Sequence, residues 1–192
     1  GMKTIILASA SPRRKALLEK IGLIFEVEPS DYQEDMPLGL EPHDLARNIS
    51  LEKARVIAGR RHNSVVIAAD TFIVFDGRIL GKPYREQDAQ EMLGAISGKC
   101  HSVITGFSII DTGEHRTVSK SVETKVYIRK LTLAEIDTYV KSGEPMDKAG
   151  AYAIQGLGSV FVEKIDGDYY NVVGFPLSAL TEALKEFGIN IL

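Results

Sequence analysis

Thr4-Ile-Ile-Leu-Ala-Ser-Ala-Ser-Pro-Arg-Arg14 is the stretch on which the reading of this chain turns. The apolar run at 5–8 reads as a buried strand and Ser9, Ala10 and Ser11 as a small-residue turn. Pro12 then supplies the backbone angle of a first helical residue. Ser11 is placed to cap that helix, Leu17, Leu18 and Ile21 form its apolar face, and Gly22 ends it. A strand that runs into a helix N-terminus presents backbone N–H groups and the positive end of the helix dipole, and both favour an anion. Arg13 and Arg14 occupy that first turn, where acidic residues are preferred. Two readings fit: a phosphate site whose anion offsets the two cations, or a surface helix start with two solvated arginines.

Composition narrows the classes. With 192 residues, 44% of them hydrophobic, the chain is able to bury a full core, and residues 2–192 are expected to form one domain. Gly1 ahead of Met2 is read as a cloning remnant and set aside. A formal net charge of −3 supports neither a nucleic-acid groove nor an anionic membrane surface as partner. Cys100 is the sole cysteine, so an internal disulfide is excluded and a four-ligand zinc site would need other residues. No apolar run approaches the ~20 residues that span a bilayer, and the N-terminus lacks the pattern of a signal peptide. A cytoplasmic protein is expected.

Working outward from the opening stretch, residues 25–28 alternate like a half-buried strand that Pro29 stops. Residues 30–40 read as a solvated loop with Asp31, Glu34 and Asp35 close together. A helix begins near Pro42, with Leu45, Ile49, Val56 and Ile57 as its apolar stripe. Lys53 falls on that stripe four residues after Ile49, and a lysine so placed either snorkels outward or reaches a charged partner. The unbroken apolar run at 65–69 reads as a buried strand, and Asp70-Thr71 follows it before the apolar pattern resumes at 72–75. Ligands collect at the carboxyl ends of strands in open α/β sheets, so Asp70 is the leading catalytic candidate, although a carboxylate that merely begins a turn is the plainer alternative. Asp76-Gly77 signals a hairpin. Gly77 to Lys82 is one residue short of a P-loop and Pro83 follows it, which rejects that motif and leaves Lys82 as a lone phosphate-ligand candidate.

Beyond that point a helix is expected over 85–96, with Ala89, Met92, Leu93 and Ile96 inward. Two long strands follow, over 101–110 and 119–128, joined around Asp111-Thr-Gly113. Thr132 and Glu135 make a capping box for a helix that runs through Val140. The glycine-rich stretch 147–158 lacks the third glycine of a dinucleotide fingerprint. A strand is expected at 160–162, a turn at Asp166-Gly167, a short apolar piece at Val172-Val173, and a last helix over 176–187 with Leu177, Leu180 and Leu184 inward.

Taken in order, Ser9-Ala-Ser-Pro-Arg-Arg14, Glu52-Lys-Ala-Arg55, Ala68-Ala-Asp-Thr71, Gly81-Lys-Pro83, Ser97-Gly98, the 147–158 stretch and Val173-Gly-Phe-Pro-Leu177 resemble the Maf family of nucleotide pyrophosphatases, once called septum-formation inhibitors. The resemblance implies an α/β fold with a mixed twisted sheet and flanking helices, elongated and two-lobed around a cleft, related to inosine-triphosphate pyrophosphatases. It implies a homodimer that uses a divalent cation (Mg²⁺, or Mn²⁺ or Co²⁺) and converts a nucleoside triphosphate to its monophosphate and pyrophosphate. Carried over by motif, Asp70 resembles the proton acceptor. Ser11, Arg13, Arg14, Lys53 and Lys82 resemble the phosphate-binding groups, and Glu34 and Asp70 the metal ligands.

The residue types suit that chemistry. Phosphoryl transfer is catalysed mainly by positioning and charge neutralisation. A hard oxygen-ligated ion takes carboxylates and phosphate oxygens, and the four histidines are scattered without metal-ligand spacing. Within the family, a subgroup favouring dTTP and UTP carries Arg after Ser-Pro, Asp-Thr at the strand, and Gln-Gly-Leu-Gly in the glycine-rich stretch. A second, favouring 7-methyl-GTP, carries Trp, Asp-Gln and Glu-Gly-Phe-Gly. Arg13, Thr71 and Gln155 match the first pattern. Two alternatives remain at this point: hydrolysis of 7-methyl-GTP or another non-canonical nucleotide, and a nucleotide-binding regulator of septum formation without turnover.

Overall fold

The computed structural model describes residues 2–32 and 39–192. β1 (Thr4–Leu7) is the short apolar strand of the opening stretch. It pairs in parallel with β2 (Glu26–Val27) through Ile6 and Leu7, and with β3 (Ser64–Phe75) from Thr4 to Leu7. β2 ends the strand order and is exposed at both residues, so the alternation at 25–28 yields only a two-residue piece with no buried face. α1 (Pro12–Lys20) starts at Pro12, is capped by Ser11, and gives way to Gly22 at φ +77°, a conformation glycine adopts without strain.

α2 (Pro42–Ala58) buries Leu45, Ala46, Ile49, Ser50, Ala54 and Ile57. Val56 is only half-buried, because small residues carry part of the contact face and let the helix lie close to its support. That support is β5 (Cys100–Asp111). At Gly106 a Cβ would stand 2.2 Å from the Ala46 carbonyl oxygen, so no other residue permits the approach. Inside the contact, hydroxyls link Ser50 to Ser108 and Ser108 to Ser119, each at 2.7 Å. They satisfy polar groups that would otherwise be costly to bury.

β3 runs through Asp70 without a break, buried from Ser64 to Ala69 and half-buried at Asp70 and Thr71. Asp76 and Gly77, at φ +50° and +75°, turn it into β4 (Arg78–Leu80), which pairs back in antiparallel fashion with Phe75 opposite Arg78. α3 (Glu86–Ile96) precedes β5. β6 (Arg116–Ile128) follows it, with Thr124, Val126 and Ile128 buried and Glu123 and Lys125 exposed, the period of two expected of a half-buried strand. α4 (Leu133–Lys141) opens on the full capping box of Thr132 and Glu135.

Three short 3-10 turns come next, Glu144–Asp147, Ala149–Ala151 and Leu157–Phe161, then β7 (Val162–Asp166), α5 (Tyr169–Val173) and α6 (Leu177–Lys185). The expected strand at 160–162 is corrected here: Val160 lies in a 3-10 turn and the strand begins at Val162. Upstream N–H groups of that segment are taken locally, by a side-chain carboxylate at Leu157 and Gly158 and by the Gly156 carbonyl at Ser159. The apolar piece at Val172-Val173 is helical, its helix started by the Asp168 carboxylate, which accepts the Tyr170 and Asn171 N–H groups.

The result is a mixed α/β protein with a seven-stranded sheet in the order β2-β1-β3-β5-β6-β7, with β4 on β3. The chain divides into two compact units, residues up to 71 with 105–122 and 174–192, and residues 72–104 with 123–173. The first is cored by Ile6, Ala54, Ile57, Val66 and Ile110, the second by Leu93, Ile96, Val126, Tyr139 and Phe161. A fully buried Val, Leu, Ile or Phe side chain contributes about 1.5–3 kcal/mol relative to an exposed one. No helix among the described residues is long and apolar enough to cross a membrane.

Candidate active site

In the first unit Lys53 and Asp70 meet. Lys53 Nζ donates to Asp70 Oδ1 at 2.9 Å, with the two side chains 18% and 13% exposed. The lysine on the apolar stripe of α2 therefore reaches a charged partner. The close seat of α2 on β5, through Ala46 and Gly106, sets the face from which it does so. Desolvating two charges tends to cancel their attraction, so a pair of this kind is weak as a stabilising device. The Lys53 contact engages Oδ1, and among the described residues no hydrogen bond ties Oδ2.

The turn into α1 separates its two arginines. Ser9 Oγ accepts the Ser11 N–H at 3.1 Å in the turn ahead of the helix, and Ser11 Oγ accepts the Arg14 N–H at 3.2 Å as the cap. Arg14 is held by the chain: Nε donates to the Gly174 carbonyl at 2.9 Å and Nη2 to Thr71 Oγ1 at 2.8 Å. Thr71 Oγ1 lies 2.8 Å from Thr105 Oγ1. Neighbouring strand residues project to opposite sides, which is why Asp70 reaches α2 while Thr71 reaches α1. Gly174, at φ +144°, keeps its backbone close under Arg14, where a Cβ would stand 3.4 Å from Arg14 Cγ. Arg13 is exposed, and among the described residues nothing binds its guanidinium.

Lys82 and Gln155 belong to the second unit, and both are exposed. A hydrogen bond from the Gly150 N–H to the Gly81 carbonyl at 3.1 Å ties the glycine-rich stretch to the residue before Lys82. Gly150 is at φ +70°, and a Cβ there would stand 2.4 Å from Ile73 Cδ1. Further along, the buried Tyr152 hydroxyl lies 2.6 Å from His101 Nε2. Burial pushes His101 down to about 4, so the ring is neutral at physiological pH.

Of the residues singled out from the sequence, Ser11, Arg14, Thr71, Lys53 and Asp70 are thus linked to partners in the first unit, with Arg13 exposed beside them. Lys82 and Gln155 share the second. Glu34 lies outside the described residues. Among the described residues no three His, Cys, Asp or Glu side chains cluster as a ready-made metal site. Sequence reasoning missed Thr105, the Gly174 carbonyl and Glu144. Gly174 carried a signal, a glycine two residues before a proline in the closing motif, whereas nothing local marks Thr105 or Glu144.

Comparison with known proteins adds to this geometry. The family model described as Maf-like protein matches residues 4–187. A dTTP/UTP pyrophosphatase of Bacillus cereus is 47% identical over 191 residues, spanning 100% of this chain and 93% of that protein. A second, from Bacillus thuringiensis subsp. konkukian, is 47% identical over 190 residues, with 99% and 98% covered. Among solved structures, a HAM1 protein from Coxiella burnetii superposes with a TM-score of 0.53 at 15% identity over 96% of this chain and 100% of that one, a likeness of fold.

Proposed function

The chain belongs to the Maf-like protein family, and from that premise we propose that it is a nucleoside triphosphate pyrophosphatase acting on dTTP and UTP. The observation that carries this reading is Asp70, a carboxylate in mid-strand with Lys53 at 2.9 Å on one oxygen. The full-length likeness to two dTTP/UTP pyrophosphatases supplies the substrate class. In the proposed reaction a water attacks the α-phosphorus. The bond to the bridging oxygen breaks, and pyrophosphate leaves with the electron pair. Asp70 takes the proton of that water, and the Lys53 ammonium fixes the orientation of the carboxylate. Arg13 and Lys82 neutralise phosphate charge. Arg14 and the Ser11 cap hold the α1 turn and Thr71 in place, so their part in phosphate binding is through the shape of that turn.

Gln155 recognises the base. Its amide offers one acceptor and donors, which match the O4 and N3–H edge of uracil and thymine. A site built on such bonds rejects a mismatched base more strongly than an apolar pocket does.

A divalent cation, Mg²⁺ with Mn²⁺ or Co²⁺ as substitutes, belongs to the same proposal. Asp70 fits it as a hard oxygen ligand, and Glu34 is the second proposed carboxylate. Mg²⁺ is ordinarily bound by one or two carboxylates with phosphate oxygens and waters completing the shell. The ion supplies charge neutralisation on the phosphates. Cytoplasmic residence and a homodimer complete the proposal, and light scattering on the purified protein tests the latter.

The deciding experiment is a pyrophosphate-release screen over canonical nucleotides and 7-methyl-GTP, with Mg²⁺ and with EDTA. The highest kcat/KM is expected for dTTP and UTP, with activity abolished by EDTA. A higher value for 7-methyl-GTP would overturn the substrate assignment, and release of orthophosphate in place of pyrophosphate would overturn the reaction.

A further inference from the structure

The segment that carries Gln155 is folded around a carboxylate of its own chain. Glu144 stands at the start of the 3-10 turn that follows α4. Its Oε1 accepts the Leu157 N–H at 3.0 Å, and its Oε2 accepts the Gly158 N–H at 3.0 Å and the Tyr139 hydroxyl at 2.5 Å. The Tyr139 oxygen in turn accepts the Ala153 N–H at 3.3 Å. Both ends of 153–158 are therefore fastened, and Gln155 lies exposed between them.

The glycines answer to the same clamp. At Gly156, φ +86°, a Cβ would stand 2.3 Å from Glu144 Oε1. At Gly158 it would stand 2.3 Å from the Ala153 carbonyl oxygen and 3.0 Å from the Tyr139 hydroxyl. Successive N–H groups in a glycine-rich loop form a cradle for an anion. Here the anion in the cradle is Glu144, so the N–H groups of Leu157 and Gly158 are taken before any phosphate arrives. Burial alone would raise the Glu144 carboxyl, but the Tyr139 hydroxyl and the two N–H groups outweigh it and hold the group below the ordinary carboxylate value. The loop is built on the ionised form.

We propose that Glu144 is a positioning residue for base recognition: with Tyr139 it fixes the 153–158 segment so that Gln155 presents its amide in one orientation. The proposal rests on the reading of Gln155 as the group that meets the pyrimidine edge. An unclamped glycine loop would lose about 1–2 kcal/mol of backbone entropy per residue ordered on binding. Fixing it beforehand removes that cost from the binding step.

The test compares E144Q, Y139F and Q155A with the wild type in steady-state hydrolysis of dTTP, UTP and CTP, alongside hydrogen exchange at the Leu157 and Gly158 amides. E144Q keeps the volume but puts an NH₂ where one oxygen accepted a bond. It is expected to speed exchange at those amides and to raise KM for dTTP and UTP by up to about 10²-fold with kcat little changed. It should also flatten the preference over CTP to the level of Q155A, with no further flattening in the double variant. Y139F should do the same to a smaller extent, and it serves as the test if E144Q does not fold. Faster exchange with wild-type base preference in E144Q, alongside lost preference in Q155A, would make the clamp purely structural and leave the base reading intact. Unchanged preference in Q155A would instead sink the base reading and, with it, the positioning role.

Discussion

Two carboxylates in this protein are held in opposite ways. Glu144, beside the glycine-rich segment, has both oxygens engaged, by two backbone N–H groups and a tyrosine hydroxyl. Asp70, in the interior of β3, is held at Oδ1 by one long lysine, and among the described residues nothing ties Oδ2. A carboxylate satisfied on every side is a structural clamp, because any new partner must displace one it already has. A carboxylate held by one oxygen is oriented and still able to take a proton or a cation. The arginines of the α1 turn repeat the contrast: Arg14 is bonded to Gly174 and Thr71, whereas Arg13 is exposed. In each pair the type of charged group is the same and the state of engagement differs.

The most direct way to break that contrast is Asp70→Asn. The amide keeps the volume and still accepts a hydrogen bond from Lys53, but it cannot take a proton. Turnover of dTTP is expected to fall by at least ~10²-fold with the melting temperature close to wild type. Near-normal pyrophosphate release would remove Asp70 from catalysis.

A smaller effect separates the arginines. Arg13→Ala removes the proposed charge-assisted contact to substrate, of the kind worth about 1.5–3 kcal/mol, so kcat/KM should drop by about tenfold to 10²-fold with stability unchanged. Arg14→Ala removes bonds inside the fold. At about 2 kcal/mol lost, a chain of this size melts about 4–8 °C lower. Kinetics and a thermal melt on both variants check the pair. If Arg13→Ala lowers the melting temperature and leaves kinetics untouched, the assignment is reversed.

How much of this was legible depended on the reach of each interaction. Signals confined to a few neighbouring residues read correctly: the Ser11–Pro12 cap, the Asp76-Gly77 hairpin, and the reciprocal Thr132–Glu135 box. Lys53 was legible as an anomaly, a cation on an apolar stripe, but its partner became visible only when α2 and β3 were placed together. The fate of Arg14 was hidden, because Thr71 and Gly174 lie 57 and 160 residues away in the chain. Gly106 offered no local sign that its missing Cβ admits Ala46. In the 147–158 stretch the glycines were evident and their reason was not. They suggest a cradle, and the occupant, Glu144, lies 13 residues from Leu157. Val160, expected to begin a strand, lies instead in the 3-10 turn Leu157–Phe161. The motif resemblance supplied Asp70, Lys82 and Gln155 as a set, which periodicity alone could not assemble.

The finest way to sharpen the comparison uses pH, because the two regions are anchored by groups that titrate differently. The α1 turn is held by serine hydroxyls and an arginine, none of which changes charge between pH 4 and 8. The glycine-rich segment is held by Glu144 and, through Tyr152, neighbours His101, which is 2% exposed and has no hydrogen-bond partner at Nδ1 among the described residues. His101 is lowered by burial from 6.5 to about 4. In that window the unfolded chain binds a proton that the folded chain does not, so stability rises with pH by at most about 1.4 kcal/mol per unit. The contribution is complete above about 6.5 and is lost as pH falls toward 4. Glu144, whose folded value is also lowered, acts in the same direction further down: its stabilisation is present above the ordinary carboxylate range and fades as pH falls below it. Hydrogen exchange corrected for intrinsic rates, at pH 7.5 and pH 4, should therefore show the 153–158 amides losing protection before those at 11–15. His101→Gln cannot take up a proton in this range, so its melting temperature should fall less between the two pH values than the wild type's. An equal fall in both proteins would place the acid sensitivity elsewhere and erase the distinction between the two anchors.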